Sequence, residues 1–590
     1  MAASRCLRSC AAWPSSKGPY KLSALLARAP RREFREIFDD TGTISNKRVS
    51  TEEVNRRICE SEFYCFPDDH KVGFTANQLN VNRPVEDRWS AYRLGGTMRF
   101  ENQEGFYDSS HPLASYAADF PGGHLFTVVD GHAGHTCAHA VNMLHVDYIA
   151  SSLLPQQLLE PILTVLSKPN LMNALPYASE LAQPYLLDPS AFMTSDGTSS
   201  PSGPTSSSGS ASFSSSDSRH CNWRLWGQWG PLDAEVNHKR LFNIHRFLKE
   251  RLETTNQDSP PDCVLQANGN VYDAEGFLVS SGFEFESHQL ATISSTATSL
   301  RTALARMDSD ITSDAVPHPE TGLNKSLLRI VLSGCVATSV YLPHDLSSLY
   351  VLQVGDCGAV LGRFIGKDSL SSSSINGSPE GSDSAKMESH LKSMDPGEWE
   401  ADLLVAPHNA QNLREVERLQ SQHPIHEASL MIVEDRLLCE LIPLRAFGDI
   451  RYKMPAKMLK NIAQLCGLPP NYPVTPRFYT SPPYLFATPQ VVCHRLDLRR
   501  DRFVILASDG LWDMLTPHQA VCVVAQHYLD YRGNPSLAGP RDTAASRLIR
   551  TALGGREMDT ARIAMHLSVP ANVARFYRDD ITVQVIYPTP

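Results

Sequence analysis

Two aspartate-glycine pairs lie far apart in the chain, each closing an apolar run. One is Leu125-Phe126-Thr127-Val128-Val129-Asp130-Gly131-His132 and the other Phe503-Val504-Ile505-Leu506-Ala507-Ser508-Asp509-Gly510. Each reads as a buried strand that delivers a carboxylate to a tight turn, with glycine letting the backbone bend and a cation approach its carbonyl. A third run, Arg578-Asp579-Asp580-Ile581-Thr582-Val583-Gln584-Val585-Ile586, places the acids before the strand. Carboxylate and carbonyl oxygens are hard donors that suit Mg²⁺ or Mn²⁺ better than zinc. His132, two residues after Asp130, sets a proton donor beside such a site. Together these residues are equipment for metal-assisted hydrolysis. A lone Asp-Gly is usually an ordinary strand-ending turn; its recurrence in matching contexts argues against that reading here. Glu86-Asp87 and the acid of Val354-Gly355-Asp356-Cys357-Gly358 are further candidates.

The elements that must hold these acids follow from periodicity. Strands are expected over Leu327–Leu342, Leu349–Leu361, Val491–Leu496, Phe503–Ala507 and Ile581–Tyr587; the last alternates apolar and polar, as a half-buried strand does. Helices are expected over Cys137–Leu153, Leu241–Thr254, Thr298–Asp308, Ala410–Gln420, Pro517–Tyr531, Thr543–Ala552 and Asp559–Leu567. Strands in hairpin-like succession with helices grouped between them favour an α+β fold over an alternating parallel one. Residues 194–218 and 368–385 are dominated by small polar residues, and their composition predicts disordered surface insertions.

Composition narrows the function. The chain has 590 residues, 42% of them hydrophobic, which is enough for a sizeable core. A formal charge of −10 argues against a general nucleic-acid binder, which needs clustered Lys and Arg. The thirteen cysteines are scattered without a Cys-x-x-Cys pair and fit a reducing compartment. No apolar run reaches the roughly 20 residues that span a bilayer. From Met1 to Arg32 the chain carries Arg5, Arg8, Lys17, Lys21, Arg28, Arg31 and Arg32, and the first acid is Glu33. Arg-rich, Ser-containing and acid-free, residues 1–32 read as a mitochondrial transit peptide, with a cleavage point near Ala29-Pro30-Arg31-Arg32.

Three other signals carry less. His132, His135 and His139 have spacings that could share a helical face, but no further Cys or His completes a zinc site nearby. Asp308-Ser309-Asp310 begins like a calcium loop yet lacks the Gly and terminal Glu of one. Trp223, Trp226 and Trp229 read as packing of an insertion onto the body rather than a docking patch.

The ordered set Glu86-Asp87, Asp130-Gly131-His132-Ala133-Gly134, Ser333-Gly334-Cys335, Gly355-Asp356, Arg445-Ala446-Phe447-Gly448-Asp449, Ser508-Asp509-Gly510-Leu511-Trp512-Asp513 and Arg578-Asp579-Asp580-Ile581-Thr582 resembles the metal-dependent serine/threonine protein phosphatases of type 2C. The resemblance covers about residues 70–590 apart from the insertions and implies a phosphatase domain over 45–590. It implies a central antiparallel β-sandwich flanked by helices on both sides, a four-layer αββα arrangement. Within the family the chain is most similar to the mitochondrial pyruvate dehydrogenase phosphatases. Gly73-Phe74-Thr75-Ala76-Asn77-Gln78-Leu79, Asn82-Arg83-Pro84-Val85-Glu86-Asp87-Arg88, His408-Asn409-Ala410-Gln411-Asn412, Thr480-Ser481-Pro482-Pro483-Tyr484-Leu485 and Tyr577-Arg578-Asp579-Asp580 carry that likeness.

The resemblance assigns roles. Asp130 would bridge two Mg²⁺ or Mn²⁺ ions, and the Gly131 carbonyl would bind one of them. Asp509 and Asp579 would hold the second, with Glu86 and Asp87 binding directly or through water. Asp356 and Asp513 match positions that recruit a weaker third divalent ion, and His132 would protonate the departing serine oxygen. Many members place a phosphate-binding arginine where this chain has Asn82, with Arg83 beside it; these two are the candidate phosphate contacts. The usual arginine two residues after Asp356 is Gly358. The implied substrate is phosphoserine on pyruvate dehydrogenase in the mitochondrial matrix. The lipoyl-bearing acetyltransferase core with Ca²⁺ and a regulatory subunit are implied partners; no nucleic acid is. Another mitochondrial phosphoprotein as substrate, or a phosphatase-shaped regulatory protein without activity, stays open; retention of Asp130, Asp509 and Asp579 disfavours the latter.

Overall fold

The computed structural model describes residues 49–66, 72–94, 122–166, 182–184, 231–254, 263–265, 271–273, 278–280, 287–317, 322–366, 398–539, 541–570 and 574–589. The predicted transit segment, both predicted insertions and the three tryptophans lie outside them.

Two antiparallel sheets face each other. The first runs β1 (Phe63–Cys65), β2 (Val72–Leu79), β13 (Ile581–Pro588), β12 (Asp501–Ala507), β8 (Gly358–Phe364), β9 (Trp399–Leu403) in spatial order. The second runs β11 (Gln490–Arg495), β7 (Ser348–Val354), β6 (Gly334–Pro343), β4 (Gly123–His132), β3 (Arg88–Leu94), β5 (Ala182–Pro184), with the short β10 (Phe447–Gly448) paired to β6. Period-2 alternation sends each strand's side chains into two different cores. In β4, Phe126 and Val128 point between the sheets, while Leu125 and Val129 point to the helices. In β12, Val504 and Leu506 point between the sheets, and Phe503, Ile505 and Ala507 point outward.

Helices cover both outer faces. Against the second sheet lie α2 (Thr136–Leu153), α3 (Gln156–Leu166), α4 (Pro231–Thr254), α5 (Ser287–Ala315) and α6 (Lys325–Leu332). Against the first lie α1 (Thr51–Cys59), α11 (Pro517–Asp530), α12 (Ala544–Gly554) and α13 (Thr560–Leu567). Further helices include α7 (Leu413–Ser421), α8 (Ile450–Lys453), α9 (Ala456–Leu465) and α10 (Asp509–Trp512). The three hydrophobic clusters are the three interfaces of an αββα stack, as expected. Helix starts sit where capping chemistry puts them: Thr516 and Gln519 form a capping box ahead of α11, and Thr543 and Asp559 cap α12 and α13.

Three expectations need correction. The strand expected over Leu327–Leu342 begins as helix α6. Asn324 accepts from the N–H groups of Ser326 and Leu327, and Leu327, Leu328, Ile330 and Val331 are buried at helical spacing. A short apolar run reads alike as helix or strand until its cap is recognised. The single run Leu349–Leu361 is two strands, because Gly355 takes φ +94° and turns the chain at Asp356. Finally, β13 is buried on both faces. Its polar side chains Thr582 and Gln584 point into a polar patch between the sheets rather than to solvent.

Candidate active site

Asp130-Gly131-His132 is the last part of β4, not a turn: the three residues still pair with Val336, Cys335 and Gly334 of β6. The chain turns afterwards, at Ala133 (φ 57°) and Gly134 (φ 119°). Gly131 is needed for close approach, since a Cβ there would lie 2.6 Å from the Glu86 carbonyl oxygen. The second pair behaves likewise. Asp509 opens α10, and a Cβ on Gly510 would lie 2.0 Å from the Asp580 carbonyl oxygen. Each glycine seats the backbone of another acidic segment.

Asp87 joins the two sheets at this end. It leads into β3 of the second sheet, and its Oδ2 accepts from Ser508 Oγ at 2.8 Å and Thr582 Oγ1 at 2.7 Å, both from the first. Ser508 Oγ in turn accepts from the Thr582 N–H at 3.0 Å. Asp580 organises the loop before Asp87. Its carboxylate accepts from the N–H groups of Val81 (2.5 Å), Asn82 (2.9 Å) and Glu86 (2.9 Å). Asn82 Nδ2 donates to Asp579 at 2.9 Å and Asp580 at 3.1 Å. The amide of Asn82 is therefore engaged in holding the acids, and Arg83 beside it is exposed.

The acids oppose one another's ionisation. Burial pushes Asp87 up to about 7, with Asp580 and Asp579 adding repulsion against the two hydroxyls. Asp130 stands well above the carboxylate range through desolvation, then through Asp87, Asp509 and Asp579. Asp509 is raised by desolvation, then by Asp513, Asp579 and Asp356. Asp356 is pushed to about 6 by burial, and Asp513 is the exposed member at the end of α10. Glu86 is raised by burial; its Oε2 makes no hydrogen bond and lies 3.1 Å from Arg575 Nη2. Glu86, Asp87, Asp130, Asp356, Asp509, Asp513 and Asp579 thus lie close enough together for each to feel the charge of others in the set.

Such a cluster fits divalent cations by its chemistry: every donor is oxygen, and positive charge would relieve the repulsion. Among the described residues no three His, Cys, Asp or Glu side chains form a group able to hold an ion by themselves. Mg²⁺ does not need such a cage, because it is usually held by one or two carboxylates with water completing its octahedron.

His132 faces a partner that sequence reasoning quoted but gave no role. Its Nε2 lies 2.6 Å from Asp449 Oδ2. Desolvation works to lower the imidazole pKa, but Asp449, followed by Asp356 and Glu86, holds it above the ordinary histidine value. Gly334 makes the pair possible, because a Cβ there would meet Asp449 Oδ2 at 2.1 Å and His132 Nε2 at 2.3 Å. Gly448 and Asp449 both have positive φ, and Asp308 of α5 clamps that turn. Asp308 accepts from the Gly448 N–H at 2.8 Å and from Lys453 Nζ at 2.7 Å. Asp308, set aside as a false calcium loop, is a support for the histidine's partner.

Other motif residues are structural. Arg445 is fully buried and makes a bidentate pair with Glu415, both contacts at 2.8 Å. At Gly358, the indole of Trp512 packs where a side chain would otherwise stand. His132 ends a strand, His135 is the N-cap of α2 and His139 lies within it, so the three share no helical face.

Residues 397–560 match the family profile described as Protein phosphatase 2C. Over that stretch the chain is similar to the type 2C protein phosphatases. The human protein "[Pyruvate dehydrogenase [acetyl-transferring]]-phosphatase 2, mitochondrial" is 28% identical over 545 residues, covering 87% of this chain and 77% of that one. The bovine "[Pyruvate dehydrogenase [acetyl-transferring]]-phosphatase 1, mitochondrial" is 28% identical with the same coverage. The fission yeast (Schizosaccharomyces pombe) "Protein phosphatase 2C homolog C10F6.17c" is 31% identical over 51% of this chain and 64% of its own length. These likenesses support a protein phosphatase role.

Proposed function

We propose that this chain is a Mg²⁺- or Mn²⁺-dependent serine/threonine phosphatase that removes phosphate from phosphoserine on the decarboxylase component of the pyruvate dehydrogenase complex and so reactivates it. The observation that carries the hydrolytic reading is the oxygen-donor cluster at one end of the sandwich, flanked by the His132–Asp449 pair. Asp130, Asp509, Asp579 and the Gly131 carbonyl would hold two ions, with Glu86 and Asp87 contributing directly or through water and Asp356 and Asp513 serving a weaker third. Bound there, the ions would supply charge opposite the phosphoryl oxygens and acidify a water for in-line attack. As the water oxygen bonds to phosphorus, the bond to the serine oxygen breaks, and that oxygen needs a proton. His132 holds one. Asp449 on Nε2 fixes the ring and favours its protonated form, leaving Nδ1 to hand the proton over. Serine and inorganic phosphate are the products, and no phospho-enzyme forms.

The substrate and compartment rest on the named relatives and on the Arg-rich segment 1–32, which we read as a mitochondrial transit peptide ahead of a phosphatase domain over 45–590. The matrix is the corresponding location. The lipoyl-bearing acetyltransferase core with Ca²⁺ and a regulatory subunit are partners by the same likeness. The test is dephosphorylation of phosphorylated pyruvate dehydrogenase by purified chain with Mg²⁺, with and without acetyltransferase core and Ca²⁺. Release of phosphate from that substrate is expected. Hydrolysis of phosphoserine peptides but not of pyruvate dehydrogenase would move the substrate elsewhere. No hydrolysis of either would leave a regulatory protein without activity.

A further inference from the structure

The motif His408-Asn409-Ala410-Gln411-Asn412 lies in the loop between β9 and α7. Its end is a helix start. The Asn412 side chain accepts from the Glu415 N–H at 3.4 Å and donates to the Pro407 carbonyl at 3.0 Å, so it caps α7 and folds the loop back. Its beginning works differently. His408 is fully buried. Its main-chain N–H donates to the Gly355 carbonyl at 2.9 Å, and its main-chain carbonyl accepts from the Leu444 N–H at 2.7 Å. On the ring, Nδ1 lies 3.1 Å from the Gly355 nitrogen and Nε2 lies 3.2 Å from Gln490 Oε1.

A main-chain N–H can only donate, so Nδ1 must offer its lone pair. The ring proton then sits on Nε2, where Gln490 Oε1 accepts it. Burial, followed by the charge of Arg445, holds the ring's pKa down to about 3, in keeping with a neutral imidazole. One residue thus takes both main-chain groups of Gly355, the residue whose φ of +94° turns the chain at Asp356. Gln353 Nε2 adds a further bond to the Gly355 carbonyl at 3.2 Å. Asp356 is close enough to feel His132 and Asp513, and Asp509 feels Asp356 in turn. The bond to Leu444 ties the same loop to residues 444–449, the segment that ends in the partner of His132.

We propose that His408 is a positioning residue of this site: its ring pins the left-handed turn at Gly355, and with it the direction in which Asp356 presents its carboxylate to the other acids. The inference rests on the phosphatase reading for the role of Asp356, the acid assigned there to a weaker third ion. Replacing an outer residue that orients a metal ligand typically costs roughly 10–100-fold in affinity or activity.

The test titrates Mn²⁺ alone into wild type, His408→Leu, His408→Asn, Asp356→Asn and the double variant His408→Leu/Asp356→Asn, with hydrolysis of a phosphoserine peptide followed in parallel. His408→Leu should weaken the weakest class of Mn²⁺ sites by roughly ten- to a hundredfold and leave the tighter sites unchanged. His408→Asn, whose side-chain oxygen can still accept from the Gly355 N–H, should recover much of the loss. The double variant should be no worse than Asp356→Asn alone, because both changes act through one carboxylate. Saturating Mn²⁺ should restore turnover to His408→Leu but not to Asp356→Asn. An unchanged weak site in His408→Leu, equal weakening of every site, or additive losses in the double variant would overturn the assignment. Should His408→Leu fail to fold, wild type carries the test. A nitrogen NMR spectrum of its imidazoles should show His408 protonated on Nε2 and bare on Nδ1, with its signals shifting as the weak site fills. The opposite tautomer, or a doubly protonated ring at neutral pH, would overturn the assignment. A wild-type chain whose Mn²⁺ binding follows this order but which hydrolyses no phosphoserine peptide would instead defeat the phosphatase reading and leave the positioning role in place.

Discussion

Asp130 is buried among the carboxylates of Asp87, Asp509 and Asp579, and burial followed by their charge holds its pKa well above the ordinary carboxylate value. Replacing it by asparagine removes the charge proposed to bridge the two ions but keeps the shape. We expect Asp130→Asn to abolish turnover and to weaken Mg²⁺ binding in a direct titration; near-normal turnover at ordinary Mg²⁺ would exclude a bridging role. His132 gives a sharper test. A serine alkoxide leaves poorly, whereas a phenolate with an acidic parent phenol leaves without help. His132→Ala should slow phosphoserine peptide hydrolysis by about 10²–10⁴-fold and an activated aryl phosphate much less. Asp449→Asn should show the same leaving-group dependence with a smaller loss, since it acts through the histidine. Equal losses on both substrates would mean that the pair is structural.

At the scale of elements, the site depends on parts distant in sequence that hold the catalytic segments still. Asp308 of α5 clamps the left-handed turn at Gly448 and Asp449. Asp308→Ala leaves the Gly448 N–H and Lys453 without their acceptor, and a buried group left so costs about 1–3 kcal/mol. We expect a lower thermal midpoint and a loss of turnover that follows the leaving group as Asp449→Asn does. Metal affinity should stay unchanged, which a calorimetric titration can check. The acids at strand ends were legible in the sequence, because an apolar run followed by Asp-Gly is a local signal. The α+β class was legible from the periodicity of strands and helices, which is local, whereas the four layers came from the family resemblance. The αL turn at Asp449, the Asp308 clamp and the Arg575 contact were not. Each joins segments far apart in the chain, and nothing about Asp308 on its own helix says which loop it will meet. The polar face of β13 was visible but misread. Alternation says that two faces differ; it does not say that the polar one faces water.

For the whole molecule, the raised carboxylates link stability to pH and to metal. Asp87 near 7 and Asp356 near 6 have folded-state values above those of the unfolded chain, so the metal-free fold binds more protons than the unfolded chain does. That contribution is fully present below the unfolded pKa of about 3.8 and is lost as pH rises through the folded values. We therefore expect the thermal midpoint of chelator-treated protein to fall between about pH 5 and 8. Saturating Mg²⁺ or Mn²⁺ should cancel most of the fall, because the cation replaces the proton. A metal-free midpoint that rises over this range would contradict the arrangement. The inter-sheet core sets the background. Phe126 is fully buried, with its ring 5.1 Å from that of Phe74 across the sandwich. Phe126→Ala should cost about 3–5 kcal/mol in denaturant unfolding.

The hydroxyls of Ser508 and Thr582 reach across to one carboxylate oxygen of Asp87, so the two sheets share a fastening at the end that carries the acids. Neither sheet holds the whole cluster: Asp130 and Asp87 belong to one, Asp509 and Asp579 to the other. An ion bound between them would act as a clasp. Spreading the sandwich at that end would release it, and stripping it away would let that end breathe. Amide exchange at the ends of β4, β12 and β13 should then report occupancy of the cluster more directly than exchange anywhere else in the fold.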